Sequence, residues 1–466
     1  MKRTKTEFIE ELAIEQVAAE GKGIARRDNF VVFVERAIPG DIVNVKITKK
    51  KKDYAQAEIV SFVKKSENRI VAFCSHFGLC GGCKWQDVLY AEQLREKEQL
   101  VYDALRRIGK IDVENISPII GCAQTEHYRN KVEFTFSDRA WLTDEQIKSG
   151  QEFDRRALGF HVPQSFSGVL AVSACYLMDD KQNEIRNAVF EFAKQEEMAF
   201  YNLKTHEGLL RNLIFRNTST GEWMLTVCFA APVQNKIDQL MSFICNKFPE
   251  ITSLNYIINQ KLNDTIYDQE VINYAGQDFI TEQLDEIRYK ISVKSFFQTN
   301  SLQAKVLYDI VKNFGQFSKD EIVYDLYCGT GSIALYVANS CKQVIGIEQI
   351  AQAVLDADEN AKLNHINNAS FYTGTCEAIF SEDFLQKHPK ADTIIVDPPR
   401  AGLHEKVVDT LLKSEAKKIV YVSCNPSTQA RDILLLSEKY ALTKCQPVDM
   451  FPHTFHIENV VLLEKR

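Results

Sequence analysis

No stretch of eighteen apolar residues runs through this chain, so no segment has the length of a membrane-crossing helix. The first residues, MKRTKTEFIEELAIEQVAAEGKG, are basic and then acidic-amphipathic, without the apolar core of a secretory signal. Both absences lead to the expectation of a cytoplasmic protein with no membrane partner. Excess positive charge is missing as well, since 56 Lys and Arg against 63 Asp and Glu leave a formal net charge of −7. A chain of that balance does not coat nucleic acid indiscriminately, and any RNA contact has to come from local basic surface. Low-complexity tracts are absent too, so the chain is expected to fold throughout. At 466 residues it exceeds one core of ordinary size, which points to two or three domains.

Three segments differ in pattern. Residues 1–65 read as short strands between Gly, Pro and Asp turns, with a lysine run, Lys49 to Lys52, placed as a solvated hairpin tip. The EGKGIAR opening and the AIPGD turn resemble a TRAM domain, an OB-like RNA-binding β-barrel. Residues 66–285 mix irregular strands and helices, an α+β pattern. Within them AEQLREKEQLVYDALRRIGKIDV, residues 91–113, carries apolar positions at helical spacing and predicts an amphipathic helix that packs on a neighbouring domain. From 286 to 466, strand-like runs (IVYDLY, QVIGIE, TIIV, KIVYVS) alternate with helix-like runs. That alternation predicts an α/β Rossmann-like domain, a parallel sheet with helices on both faces. Ligands of such sheets sit beyond the carboxyl ends of the strands.

Those ends carry the chemistry. Val323 to Gly331 is strand, glycine turn and helix start, but GTG lacks the full spacing of a dinucleotide fingerprint, which disfavours a nicotinamide enzyme. Glu348 ends the next strand, seventeen positions after Gly331, where an acidic side chain can accept bonds from both hydroxyls of a ribose. Asp397 opens DPPR after the strand TIIV, a rigid carboxylate suited to holding two reactants side by side. Cys424, in SCNP, ends a strand on the same edge, and the turn that follows should aim its thiol into the cleft rather than the core. In the tail DMFPHTFHIE, Glu458 is a candidate base, with His453 and His456 as alternatives on charge alone.

The stretch DPPRAGL, the later IVYVSCNPST and the tail DMFPHTFHIE together resemble the two signatures of the RNA uracil-5-methyltransferases. That resemblance implies methyl transfer from S-adenosylmethionine to carbon 5 of a uridine, with Cys424 as nucleophile and Glu458 as proton acceptor. It places Gln298 (in SFFQTN), Tyr327, Glu348 and Asp397 at cofactor-binding positions and makes His456 and Arg400 supporting residues. The chemistry agrees: carbon 5 of uracil is a poor nucleophile until a thiolate adds to carbon 6. A base must afterwards remove the carbon 5 hydrogen.

Cys74, Cys80 and Cys83 are spaced C-x5-C-x2-C, with glycines that let the loop wrap a metal. Zinc is the default ion for such a set, with His76 a candidate fourth ligand, whereas an iron-sulfur cluster needs four thiolates. The family resemblance implies a [4Fe-4S] cluster with Cys175 as fourth ligand, Cys122 being the alternative. The TRAM-like barrel and the cysteine cluster resemble the ribosomal-RNA branch of the family, which implies 23S ribosomal RNA as substrate; no obligate protein partner is evident, and a monomer is expected. A transfer-RNA uridine-5-methyltransferase and an inactive RNA-binding iron-sulfur protein are the rival readings.

Overall fold

The computed structural model describes residues 7–27, 30–111, 116–163, 165 and 167–466. At the N-terminal end, six strands form one sheet in the order Phe8–Ala13, Ile42–Lys50, Tyr54–Lys64, Phe30–Val34, Gly23–Arg27 and Gln16–Val17. Alternation in Ile42–Lys50 turns Val43 and Val45 inward, where they meet Leu12, Ala25, Val32, Val34 and Ala57. Register shifts along the two longest strands bend them around this small core. The expected lysine tip is there: Lys49 to Lys52 lie exposed where Ile42–Lys50 turns into Tyr54–Lys64. Asp28 and Asn29, within the expected strand segment, lie outside the described residues, as do residues 1–6.

A second sheet of seven strands spans Lys131–Ser137 to Ile272–Gly276, packed against the helices Lys181–Gln195 and Gln234–Lys247. After it comes the hairpin Phe279–Leu284 with Ile287–Ser292, both strands of which pack into the core of the third sheet.

The third sheet positions the site. Numbered within that sheet, its strands are β1 (Ile322–Leu326), β2 (Gln343–Glu348), β3 (Ala369–Thr373), β4 (Thr393–Val396), β5 (Lys418–Ser423), β6 (Tyr440–Val448) and β7 (Glu458–Lys465). Their order is β3-β2-β1-β4-β5-β7-β6, and the first five run parallel. Only β7 runs antiparallel to β5. Successive residues feed opposite cores: Val323, Val344, Ile395 and Val420 point one way, Tyr324, Ile345, Ile394 and Ile419 the other. A sheet buried on both faces explains why these strands are continuous apolar runs.

The expected helix over 91–113 is found as Tyr90–Arg107; Asp112 and Val113 lie outside the described residues. Its C-terminal half buries Val101, Ala104 and Leu105 with Ala430 and Ile433 of the helix Pro426–Leu436, so it does pack on the helical layer of the third sheet. Among the described residues no helix is long and apolar enough to cross a membrane.

Candidate active site and cysteine cavity

The glycine turn leaves β1 through backbone that few residues tolerate. Tyr327, Gly329 and Gly331 all have left-handed φ, +68°, +56° and +75°. A Cβ on Gly331 would lie 3.1 Å from both Ala357 Cβ and Phe371 Cζ, while open space faces Gly329. The amides of Tyr327 and Cys328 donate to the Ile347 carbonyl at 2.9 and 3.1 Å, which pins the turn to β2. Glu348, at the end of β2, accepts from the Gly329 amide at 3.1 Å and the Ile350 amide at 2.8 Å. Its carboxylate is thus already oriented, with lone pairs to spare. Tyr327 lines a groove with Gln349, Glu377 and Pro399. Gln298 lies on the loop before the helix Ser301–Gly315; that loop meets the glycine turn where Thr330 Oγ1 donates to the Phe296 carbonyl at 3.5 Å.

Asp325 was missed in the sequence. Both its carboxylate oxygens are buried without a hydrogen-bond partner, with only the Ala334 amide turned toward it. Burial, then the nearby Asp397 and Glu348, push its carboxyl well above the usual range. The available signal was a charged residue inside an otherwise apolar strand, VYDLY.

At the chemical end, Asp397 follows β4 with its carboxyl raised to about 7 by burial. Pairing of β5 with β7 sets Ser423 opposite Asn459, so the next step along each strand brings Cys424 beside Glu458. Burial, then Glu458 and Asp397, raise the Cys424 thiol to about 11, against the pull of Arg400. Glu458 is itself buried, and desolvation first, then Asp397, hold its carboxyl well above the ordinary value. Asn425 caps the helix Pro426–Leu436 by accepting from the Ser427 amide at 3.1 Å. Its Nδ2 donates to the Arg400 carbonyl at 3.0 Å, which ties the DPPR and SCNP turns together.

The thiol opens on a pocket of about 390 Å³. Arg400, Ser427 and His456 line it from the turns and helix at the edge of the third sheet, Leu100 from the long helix, and Ala19 and Glu20 from the 3-10 turn between two strands of the N-terminal sheet. The N-terminal sheet comes close here: a Cβ on Gly21 would sit 2.9 Å from Phe455 Cδ1. Nothing in the local sequence announced that contribution. Of the two histidines, only His456 lines this pocket. Arg400 Nη2 lies 3.1 Å from His456 Nδ1, and burial followed by Arg400 lowers the ring to about 4, so it is neutral near pH 7. His453 turns elsewhere, its ring edge-on to Phe73 and its Nδ1 3.3 Å from Gln93 Nε2.

Cys74, Cys80, Cys83 and Cys175 line a separate cavity of about 290 Å³, walled by apolar residues such as Phe77, Phe160 and Val132. Burial raises Cys80 to about 11 and Cys83 to about 12 and lifts Cys175 too; nearby thiols push each of the three the same way. Gly82 N donates to Cys80 Sγ at 3.4 Å and Gln86 Nε2 to Cys83 Sγ at 3.2 Å. His76 also lines the cavity, but its Nε2 accepts from the Ser173 amide at 3.0 Å. Cys122 is elsewhere, with its Sγ donating to the Asp449 carbonyl at 2.9 Å. Among the described residues no three His, Cys, Asp or Glu side chains converge closely enough to hold a single metal ion.

The family described as tRNA (Uracil-5-)-methyltransferase matches residues 89–466, and the TRAM domain matches residues 9–60. The chain belongs to the uracil-5-methyltransferase family. Within it, the chain is similar to an uncharacterized RNA methyltransferase of Bacteroides thetaiotaomicron, 51% identical over 97% of this chain and 100% of that protein. A second RNA methyltransferase, from Porphyromonas gingivalis, is 48% identical over 97% of this chain and 99% of its own length. Among solved structures, the Pyrococcus abyssi tRNA (uracil-54, C5)-methyltransferase in complex with S-adenosyl-L-homocysteine superposes with a TM-score of 0.75 at 26% identity. The match covers 97% of this chain and all of that one. The family fold, a mixed α/β methyltransferase with an N-terminal TRAM domain, is therefore the fold of this chain.

Proposed function

We propose that this protein transfers a methyl group from S-adenosylmethionine to carbon 5 of a uridine in RNA, with Cys424 as nucleophile and Glu458 as base. The observation that carries the reading is the juxtaposition of Cys424 and Glu458 across β5 and β7, on the sheet edge that also holds the glycine turn. Cys424 adds as thiolate to carbon 6 of the base in the 390 Å³ pocket, which makes carbon 5 an enolate carbon. S-adenosylmethionine supplies the methyl group from its sulfonium. Glu458 then takes the hydrogen of carbon 5, the carbon 5–carbon 6 double bond re-forms, and the carbon 6–sulfur bond breaks to release Cys424. Burial gives Glu458 the high proton affinity this second job wants. Glu348 accepts from the cofactor ribose with the lone pairs its two amides leave free, while Tyr327, Gln298 and Asp397 complete the cofactor's surroundings.

We further assign Cys74, Cys80, Cys83 and Cys175 as ligands of a [4Fe-4S] cluster. A single-ion site is not supported by the spread of these side chains. A cubane takes each thiolate on a different iron and so suits four thiols set around a roomy apolar cavity. Methyl transfer needs no electron, so the cluster would act as a structural brace.

The substrate we favour is 23S ribosomal RNA. Transfer RNA is a second reading, because the Pyrococcus abyssi enzyme, a transfer-RNA methyltransferase, is matched over all of its length and 97% of this chain. Incubating the protein with labelled S-adenosylmethionine and purified ribosomal or transfer RNA, then mapping 5-methyluridine, separates them. Label in ribosomal RNA alone is expected; label in transfer RNA alone moves the assignment, and label in neither rejects the enzyme reading in favour of an inactive RNA-binding protein.

A further inference from the structure

The helix Tyr90–Arg107 buries polar side chains in its N-terminal half, where apolar spacing predicts none: Gln93 and Lys97 are fully buried and Glu96 nearly so. Tyr90, Gln93 and Lys97 stand at i, i+3 and i+7, on one face. All three end on the segment 449–457, which joins β6 to β7 without regular structure. Lys97 Nζ donates to Asp449 Oδ1 at 2.6 Å and to the Phe451 carbonyl at 3.0 Å. Tyr90 OH donates to Asp449 Oδ2 at 2.9 Å. Gln93 Oε1 accepts from the His453 amide at 2.8 Å, while its Nε2 donates to the carbonyls of Trp85 and Val88, each at 2.9 Å.

A desolvated ammonium–carboxylate pair adds little net stability over apolar side chains of the same volume, but it fixes one relative position of the two chains that carry it. Here one chain is a helix anchored in the methyltransferase core through Val101, Ala104 and Leu105. The other leads directly to His456 and Glu458. We propose that Tyr90, Gln93 and Lys97 are positioning residues for methyl transfer: they clamp segment 449–457 so that Glu458 meets the carbon 5 hydrogen of the Cys424 adduct. This rests on the assignment of Glu458 as base.

The clamp acts on the last chemical step, so its loss has a signature that a merely structural role lacks. Lys97→Met/Asp449→Asn removes both charges together and leaves no lone buried ion; Gln93→Leu frees His453 without touching the ion pair. Each variant is given labelled S-adenosylmethionine and substrate RNA, beside Glu458→Gln, and read on denaturing gels for methyl-labelled protein–RNA adduct. The expected result is wild-type cofactor affinity, adduct accumulation, and turnover down about 10²-fold, the cost of a base misplaced by about 1 Å. Variants that are folded by circular dichroism and turn over normally without adduct overturn the clamp. So does slow turnover without adduct while Glu458→Gln accumulates it. No adduct from Glu458→Gln removes the base assignment, and the clamp with it. If the double variant fails to fold, Gln93→Leu decides alone by the same readouts.

Discussion

Raised thiols line both the cysteine cavity and the Cys424 pocket, and what joins burial in raising them differs. At the cavity, burial is joined by the other cysteines: Cys175 and Cys74 push on Cys80, and Cys80 joins them in pushing on Cys83. Ligation would need these thiols as thiolates, so the cluster proposed for them would have to supply the positive charge that offsets burial and mutual repulsion. At Cys424 the pushing groups are carboxylates, Glu458 and Asp397, with Arg400 opposing them. A single thiol there would need a transient positive charge and somewhere for a proton to go, as the nucleophile proposed above requires. The direction of a thiol's pKa therefore says little about its role; the identity of the neighbours that cause it says more.

The largest effect expected from breaking this contrast is at Cys424. Cys424→Ala should bind S-adenosylmethionine and RNA yet form neither 5-methyluridine nor adduct. Glu458→Gln should slow release about 10²- to 10⁴-fold, the usual worth of a general base, and hold the methylated adduct. Substantial turnover by Cys424→Ala would make it a packing thiol like the buried Cys445. A smaller effect on catalysis, but a large one on iron, is expected from the other group. Cys175→Ser should lose iron from anaerobically purified protein, measured against about four per chain in the parent. Cys122→Ser should keep it, since Cys122 bonds to the Asp449 carbonyl away from the cavity. Stoichiometric zinc in place of iron would erase the cluster assignment.

The smallest effect sharpens the contrast by pH. In the free enzyme, alkylation of Cys424 should rise with pH toward a midpoint near its raised value of about 11. Bound S-adenosylmethionine brings a sulfonium charge that favours the thiolate, so the midpoint should fall by about 1 to 3 pH units. S-adenosylhomocysteine, which lacks that charge, should leave it in place. Equal midpoints with both ligands would show that the sulfonium does not reach the thiol.

Much of the third sheet was legible because its strands are apolar runs bounded by turn residues. QVIGIE is β2 to the residue, and the runs before Tyr327, Asp397 and Cys424 are β1, β4 and β5. The edge on which Glu348, Asp397 and Cys424 meet follows from those parallel strands alone. Less legible was the long helix. Its apolar spacing announced an amphipathic helix, and Val101, Ala104 and Leu105 are its buried apolar face, but the same rule discards Gln93 and Lys97 as solvent-facing, and both are buried. Their partners lie more than 350 positions away in the chain, beyond any local period. The Ala19–Glu20 wall of the Cys424 pocket was unreadable for the same reason.

Alone, the sequence determined which residues end strands and which turns follow them, because hydrophobic period, proline and glycine act over a few neighbouring residues. It also supplied the two kinds of cysteine context, a loop of closely spaced thiols and a lone thiol at a strand end. Only the tertiary structure decided that Cys175 joins the loop thiols and Cys122 does not, and that His453 turns away from Cys424 while Glu458 comes beside it. The antiparallel return of β7 brings Glu458 beside Cys424, and Gln93 holds the His453 backbone; both are pairings between residues that chain order keeps far apart.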